Sequence, residues 1–528
     1  MLRITNLRVP VSDETPLERL AASRLKLPPE GVKAVYIERR AIDARRKGNI
    51  TFVYTLHAET SLPEKGVLAK LRGDKDINQV EIIPPDPIIP GPRPLASPPV
   101  IVGAGPAGLL AALTLAQHGY KPLLLEQGRD VDRRTADVLS FWETGNLNPS
   151  SNVQFGEGGA GTFSDGKLTT RVTDPRMQQV LDVLVAAGAP SEIKYRHKPH
   201  VGTDLLRQVV KNIRSQIIAH GGTVRFEAAV TDITVEDGRV TAITVNREQH
   251  IPVEVLLLAI GNSARQTYEM LHHRGIALEA KPFAIGVRIE HPQELIDRAQ
   301  YGALAGHPAL GAADYALVYH DKPKSRTAYS FCMCPGGQVV AAASETGGVV
   351  TNGMSLHARA SGTANSALVV NVNPDDCGSH PLSGIAFQRR WEQLAFAAGG
   401  KSYYAPVQTV GDFLAGRSNS SAFATPPTYN PGVQAADLRD CLPPFVTDTI
   451  AQALPDFGRK IKGFDVSGAL MTGVETRTSA PVRLVRDENL VSLGTAGLYP
   501  IGEGAGYAGG IMSAALDGLK AALEVIKI

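Results

Sequence analysis

An α/β chain in three parts is what this sequence predicts, and three observations predict it. The first is Gly103-x-Gly105-x-x-Gly108, a glycine turn set between an apolar strand, PVIV, and an apolar helix, PAGLLAALTLAQHG. The second is a βαββαβ order of short elements over the first eighty residues. The third is a change of character over 281–465, where Gly and Pro scatter among short β-like runs before αβ punctuation returns. A length of 528 residues accommodates such a division at roughly 150 residues per domain. Hydrophobic residues at 43% and charged residues at 20% match ordinary globular usage, which excludes a largely disordered chain. The 54 Lys and Arg nearly balance the 52 Asp and Glu, which argues against an obligate nucleic-acid or membrane-surface protein.

The elements follow in order. In 1–83, LRITNLRV alternates like a strand and TPLERLAASRLKL has helical spacing. VKAVYIERR and NITFVYTLHA read as paired strands, LPEKGVLAKLR as a short helix and NQVEII as a last strand, which together predict a ferredoxin-like unit. Residues 84–98 form a Pro-rich linker, expected to behave as a semi-rigid extended spacer. The segments 99–280 and 466–528 are expected to build one domain split in sequence, with 281–465 inserted as a substrate or cap domain. Within it, SRTAYSFCMC and GQVVAAAS are β-like. TVRFEAAVTDITVEDGRVTAITV predicts strands broken at Glu236-Asp237-Gly238, and VEVLLLAIGNSA a buried parallel strand.

The glycine turn carries chemistry. Gly103 permits the tight turn, Gly105 lets a pyrophosphate approach the backbone, and Gly108 lets helix and strand pack closely. The helix start, with Pro106 and Ala107, then offers N–H groups and a positive dipole end to phosphate. Glu126, followed by Gln127, ends the next strand 18 residues past Gly108, where a carboxylate accepts hydrogen bonds from ribose hydroxyls. FAD and NAD share this fingerprint, and two later segments separate them. VLLLAIGNSA, with Ala259 and Gly261, resembles the strand that follows a β-meander in flavoproteins with two dinucleotide folds. LYPIGEGAG, with Gly502 and Glu503, resembles their C-terminal segment. Gly509-Gly510-Ile511 opens a helix whose N-terminus suits the negative charge of a reduced isoalloxazine. Their order points to FAD.

FGEGGAGTFSDGKL (155–168), KPHVGTD (198–204), FCMCPGG (331–337), TNGMS (351–355), GVETRTSAPV (473–482) and GEGAGYAGGIMSAALDG (502–518) extend the match. With these segments, essentially the whole chain resembles a bacterial family of FAD-dependent dehydrogenases (FAD-dependent oxidoreductases) named for its cofactor. The resemblance implies FAD binding and a Rossmann-like, glutathione-reductase-like FAD/NAD(P)-binding domain carrying an inserted α+β domain. It names no substrate. Gly159, Ala160 and Gly161 of the glycine-dense loop, together with Val230, join the residues above as expected cofactor contacts.

Other groups carry two readings each. Lys167 suits stabilisation of anionic charge, or is a solvated lysine. His200 suits proton donation beside a reduced flavin, or is a hydrogen-bonded structural histidine. Arg477, near Glu475, suits clamping of a carboxylate substrate, or a buried interdomain ion pair. Cys332 and Cys334 fall on one strand face; small apolar packing is the first reading and redox chemistry the second. With Cys377 and Cys441 they make four cysteines, too few for a disulfide framework, and no spacing suggests a metal site. The flavin-adjacent CxxxxC of disulfide reductases is missing near Glu126. No second glycine fingerprint marks a separate NAD(P) domain, which leaves NAD(P)H as a transient reductant. Residues 1–83 carry 15 Lys and Arg against 11 Asp and Glu, clustered at Arg39, Arg40, Arg45, Arg46 and Lys47. A solvated turn or an interface is the first reading of that run; contact with RNA, in a flavin-containing binding or regulatory protein, is the second. The N-terminus lacks the apolar core of a leader, and 94–116, though uncharged, is broken by Gly and Pro, so a cytoplasmic protein without membrane spans is expected. The expected activity is hydride transfer between flavin and a small organic substrate.

Overall fold

The computed structural model describes the whole chain except residues 72, 81–87, 419–422 and 424. Its N-terminal part is a four-stranded antiparallel sheet ordered Val32–Asp43, Thr51–Thr60, Leu2–Pro10, Ile77–Gln79. The two central strands alternate as half-buried strands must: Leu2, Ile4, Phe52, Tyr54, Leu56 and Ala58 all face inward. Helices Leu17–Arg24 and Glu64–Lys70 bring Ala21, Ala22 and Val67 onto that face. The order βαββαβ with this pairing is the ferredoxin-like arrangement. Residues 81–83 of the last expected strand, and 84–87 of the expected linker, lie outside the described residues.

The described part of the linker is strapped down. Proline lacks an N–H, so few donors remain in it, and two of them are used. Gly91 N donates to the Ile526 carbonyl at 2.8 Å, and Ala96 N to Glu254 Oε2 at 2.6 Å. Arg93 pairs with the same Glu254.

The glycine turn belongs to a five-stranded parallel sheet ordered Leu498–Pro500, Leu256–Leu258, Val100–Val102, Leu123–Leu125, Thr223–Arg225. The runs VIV and LLL are apolar throughout because both faces are covered. Ile101, Leu124 and Leu257 pack beneath helices Pro106–Gln117, Thr203–Ala219 and Ile511–Ile526. Val100, Val102, Leu125, Leu256 and Leu258 pack against a meander of strands Val230–Glu236, Arg239–Val245 and Gln249–Pro252. Asp237 and Gly238 turn the first of these hairpins with positive φ.

A mixed seven-stranded sheet faces this domain, ordered Val318–Asp321, Arg326–Cys334, Thr363–Val372, Phe283–Pro292, Leu470–Glu475, Ala405–Thr409, Val433–Ala435. Leu470–Glu475 lies inside it, between Phe283–Pro292 and Ala405–Thr409. The boundary expected at 465 therefore falls short. An apolar run such as LMTGVE reads equally well as a strand of either sheet, and only its partners decide. Among the described residues, no helix is long and apolar enough to cross a membrane.

Candidate functional site

A cavity of about 380 Å³ opens where the parallel sheet's C-terminal strand ends meet the seven-stranded sheet, within the usual range for ligand pockets. Strand ends of an open α/β sheet are where loops diverge and leave such a crevice.

Its floor is bare backbone. Gly103 has φ +100°, and a Cβ there would lie 2.3 Å from the Ala259 carbonyl, so only glycine lets strands Val100–Val102 and Leu256–Leu258 diverge at this point. At Gly105 a Cβ would meet only the Cα of Gly159, at 3.8 Å; at Gly261, Gly509 and Gly510 it would meet nothing within 4 Å. Helices Pro106–Gln117 and Ile511–Ile526 both begin at this cavity without a side-chain cap. Their first N–H groups and positive dipole ends therefore point toward whatever lies there.

Glu126 is buried at the end of its strand and organises the floor. Its Oε2 accepts from Ala104 N at 2.8 Å; its Oε1 accepts from Gly128 N at 2.8 Å and Gly156 N at 3.0 Å. The Gly158 amide donates to the Ala104 carbonyl at 2.8 Å, which joins the glycine-dense loop to the glycine turn. Arg134, fully buried on helix Val131–Thr144, holds that loop from behind through the carbonyls of Asn152 (2.8 Å), Val153 (2.9 Å) and Glu157 (2.6 Å). Burial pushes its guanidinium down to about 10.

Glu503 stands at the far end, where Asn262 Nδ2 donates to its Oε1 at 2.8 Å. Burial pushes this carboxyl up to about 7, with Asn262 and Lys281 opposing the shift. The roof is formed by the seven-stranded sheet and its neighbours, with Phe331, Cys332, Asn352, Glu475 and Arg477 on the cavity.

Most residues expected at the cofactor come together here: Gly103, Gly105, Pro106, Ala107, Glu126, Gln127, Gly159, Ala160, Gly161, Val230, Ala259, Gly261, Gly502, Glu503, Gly509, Gly510 and Ile511 line one cavity. Gly108 lies beneath the floor, where a Cβ would be 1.9 Å from the Gly103 carbonyl. Lys167 lines the cavity with its charge paired and its side chain partly buried. Its ammonium donates to Asp165 Oδ2 at 2.7 Å and to the Met333 carbonyl. Asp165 also accepts from Arg359 and Ser355, and the Lys167 and Arg359 cations hold it far below the usual carboxylate range. His200 lies away from the lining: its Nε2 is 3.0 Å from the His357 carbonyl and its ring stacks on His357 at 5.2 Å. Burial pushes it down to about 4, so it is a neutral structural group at neutral pH. Arg477 is held by Glu392 through two hydrogen bonds, 2.8 and 3.1 Å, and Arg265 grips the same carboxylate at 2.7 and 2.9 Å. Glu475 pairs with Arg288 instead, at 3.0 Å through each oxygen. The sequence reading missed Arg134, Asn262, Asp165 and Glu392; of these, only Asn262 carried a signal, a polar residue directly after the glycine of a buried strand.

The cavity thus has an open glycine cradle, two uncapped helix starts and an acid at each end, which fits a dinucleotide bearing a flat ring. Two family models agree. Residues 282–478 match a family model described as "FAD-dependent protein, C-terminal domain-like", and 101–135 match an NAD(P)-binding Rossmann-like domain. Residues 1–59 match a domain of unknown function, DUF8436. An uncharacterized protein of Clostridium beijerinckii is 51% identical over 528 residues, covering 100% of this chain and 98% of that one. A digeranylgeranylglycerophospholipid reductase of Haloferax volcanii is 28% identical over 166 residues, 31% of this chain and 35% of that one. Among solved structures, CtdE in complex with FAD covers 80% of this chain and 82% of its own at 12% identity and a TM-score of 0.31. Fold and site together define a Rossmann-like flavoprotein. The chain belongs to the family of FAD-dependent proteins that carry this C-terminal domain, and FAD is its cofactor.

Proposed function

We propose that this chain is an oxidoreductase that transfers a hydride between FAD and a small organic substrate held beneath the seven-stranded sheet. One observation carries the reading: the cavity runs without a break from the glycine cradle to Phe331, Cys332, Asn352 and Glu475. A ring lying on the cradle would have its far face turned to those side chains. Bound FAD supplies a two-electron carrier, and the chain's own groups supply position and charge. Gly105 and the helix start at Pro106 suit the pyrophosphate; Glu126 suits the adenosine ribose; Glu503 with Asn262 suits the ribityl hydroxyls. The uncapped helix at Gly510 suits negative charge on the reduced ring. Arg477 and Lys167 have their charges answered by Glu392 and Asp165, so they shape the electrostatics of the roof instead of standing as free anion clamps.

Three members of the basic N-terminal run are engaged within the chain, which weighs against RNA contact, while Arg46 and Lys47 stay exposed. Arg45 pairs with Asp43 at 2.6 Å, Arg39 Nη2 lies 2.8 Å from His197 Nδ1, and Arg40 stacks over Phe52 and Tyr195. The test is anaerobic reduction of the yellow protein by NADH, NADPH and a metabolite panel. Saturable bleaching by at least one organic reductant is expected. A bound flavin that nothing reduces would instead favour a binding or regulatory protein.

A further inference from the structure

We propose that Cys332 and Cys334 form a second two-electron redox centre in contact with the flavin cavity, cycling between dithiol and disulfide. The proposal rests on the reading that FAD occupies the glycine cradle.

The geometry begins with the strand. Arg326–Cys334 pairs with Thr363–Val372, yet Phe331 faces Ala367 and Cys334 faces Asn365, so three steps on one strand oppose two on the other. That is a β-bulge, a device that re-aims side chains beside active sites. Cys332 sits in it with φ +45°, left-handed for a residue with a Cβ. In a regular strand the two cysteines would share a face with Cα atoms about 6.6 Å apart, near the outer limit for a disulfide. The bulge separates their environments. Cys332 lines the cavity, whereas Cys334 is fully buried behind it, its Sγ folded back to 3.3 Å from the Cys332 carbonyl.

Two cations bracket the pair. Lys167 donates to the Met333 carbonyl, and Arg288 Nη1 to the Cys332 carbonyl at 2.9 Å. The Cys334 thiol beside it, and then these charges, hold the Cys332 thiol below its ordinary range, while Cys334 is held above it. One thiol is thus exposed to the cavity and reactive, and its neighbour is protected and protonated. That is the division of labour between an attacking and a resolving cysteine. Purely apolar packing requires neither the left-handed backbone at Cys332 nor cations on both sides.

The step balances without a further reagent. Two S–H bonds break and one S–S bond forms; the two electrons and two protons pass to oxidised FAD, which becomes reduced. The reverse returns both thiols.

The test uses the FAD-loaded full chain. Photochemical anaerobic reduction, which delivers electrons through the flavin, should take up twice the electrons that FAD alone accepts. Cys334→Ser, behind the cavity, should halve that uptake with FAD content unchanged, and Cys332→Ser should halve the uptake per FAD bound. Independently of any variant, denaturing alkylation after oxidation should leave Cys332 and Cys334 protected and their peptide two hydrogens lighter, with Cys377 and Cys441 still free. Uptake equal to FAD alone, with all four cysteines alkylated, overturns the proposal while leaving the flavin reading intact. A protein that binds no FAD overturns both.

Discussion

Two cavities of nearly equal size, about 380 Å³ each, show what distinguishes a site from a space. The second lies where the N-terminal unit meets the rest of the chain, lined by Arg40, Phe52, Arg196, His197, Lys198, Tyr301 and Arg359 among others. Its lining is mostly cationic, with four Arg and Lys against Asp314, yet each of these cations already has a partner. Arg196 holds Glu192 at 3.0 Å, Lys198 holds Asp314 at 2.8 Å, Arg359 holds Asp165 at 2.5 Å, and Arg40 rests on two rings. The flavin cavity has little net charge to show, but its helix starts and glycine amides keep hydrogen-bonding capacity in hand. Unspent donors mark a site better than volume or charge does.

The comparison can be broken in four ways, taken from the largest expected effect down. Gly105→Leu fills the cradle, its Cβ meeting only the Gly159 Cα at an ordinary contact of 3.8 Å. FAD affinity should fall by more than about 100-fold, roughly 3 kcal/mol, while the apo-protein's melting temperature stays put. Isothermal titration and a thermal melt together check this, and unchanged affinity would refute the cradle.

Arg477→Met comes next. It leaves Glu392 with Arg265 and Thr476 but removes one buried cation. Stability should drop by about 3 kcal/mol in urea unfolding. A loss confined to KM, with stability unchanged, would restore Arg477 as a substrate clamp.

The third probe is Arg359→Ala, at the wall the two cavities share. Asp165 titrates far lower in the folded chain than unfolded, so its contribution is complete above about pH 4 and is lost as pH falls. Removing Arg359 weakens that depression. The variant should lose about 1–3 kcal/mol at pH 7, and the difference from wild type should shrink on acidification. A constant difference down to pH 3 would separate Arg359 from Asp165.

Glu503 gives a comparable effect, with the opposite sign. Its folded value is raised to about 7, so apo-protein stability should decline as pH rises from about 4.5 to 7 and then level off. Glu503→Gln should flatten that slope, by about 1–3 kcal/mol in melts across the range, since each pH unit of a full proton difference is worth about 1.4 kcal/mol. A slope unchanged in the variant would assign it to another group.

What the sequence discloses and what it hides divide along the same line. Gly103 and Gly108 are legible because close approach leaves no other residue type, and VIV and LLL because two covered faces demand unbroken apolar runs. Pairings such as Arg359 with Asp165, 194 residues apart, or Arg265 with Glu392, 127 apart, leave no periodic trace. The bulge at Cys332 is equally silent, since FCMC carries no turn residue to announce it. Lys167 could not be placed either: its partner Asp165 is two residues away, but the Met333 carbonyl comes from the facing sheet.

The linker strap has a mechanical consequence. Helix Ile511–Ile526 begins at the cradle and ends where Gly91 is hydrogen-bonded to Ile526. Sixteen helical residues make a rod about 24 Å long. The rod joins the N-terminal unit's tether to Gly510 without passing through the sheet. Load that reaches the Gly91 tether is therefore passed to the element whose other end faces the glycine cradle, while the backbone bonds of Arg40 to Tyr195 and His197 share the load on the unit itself.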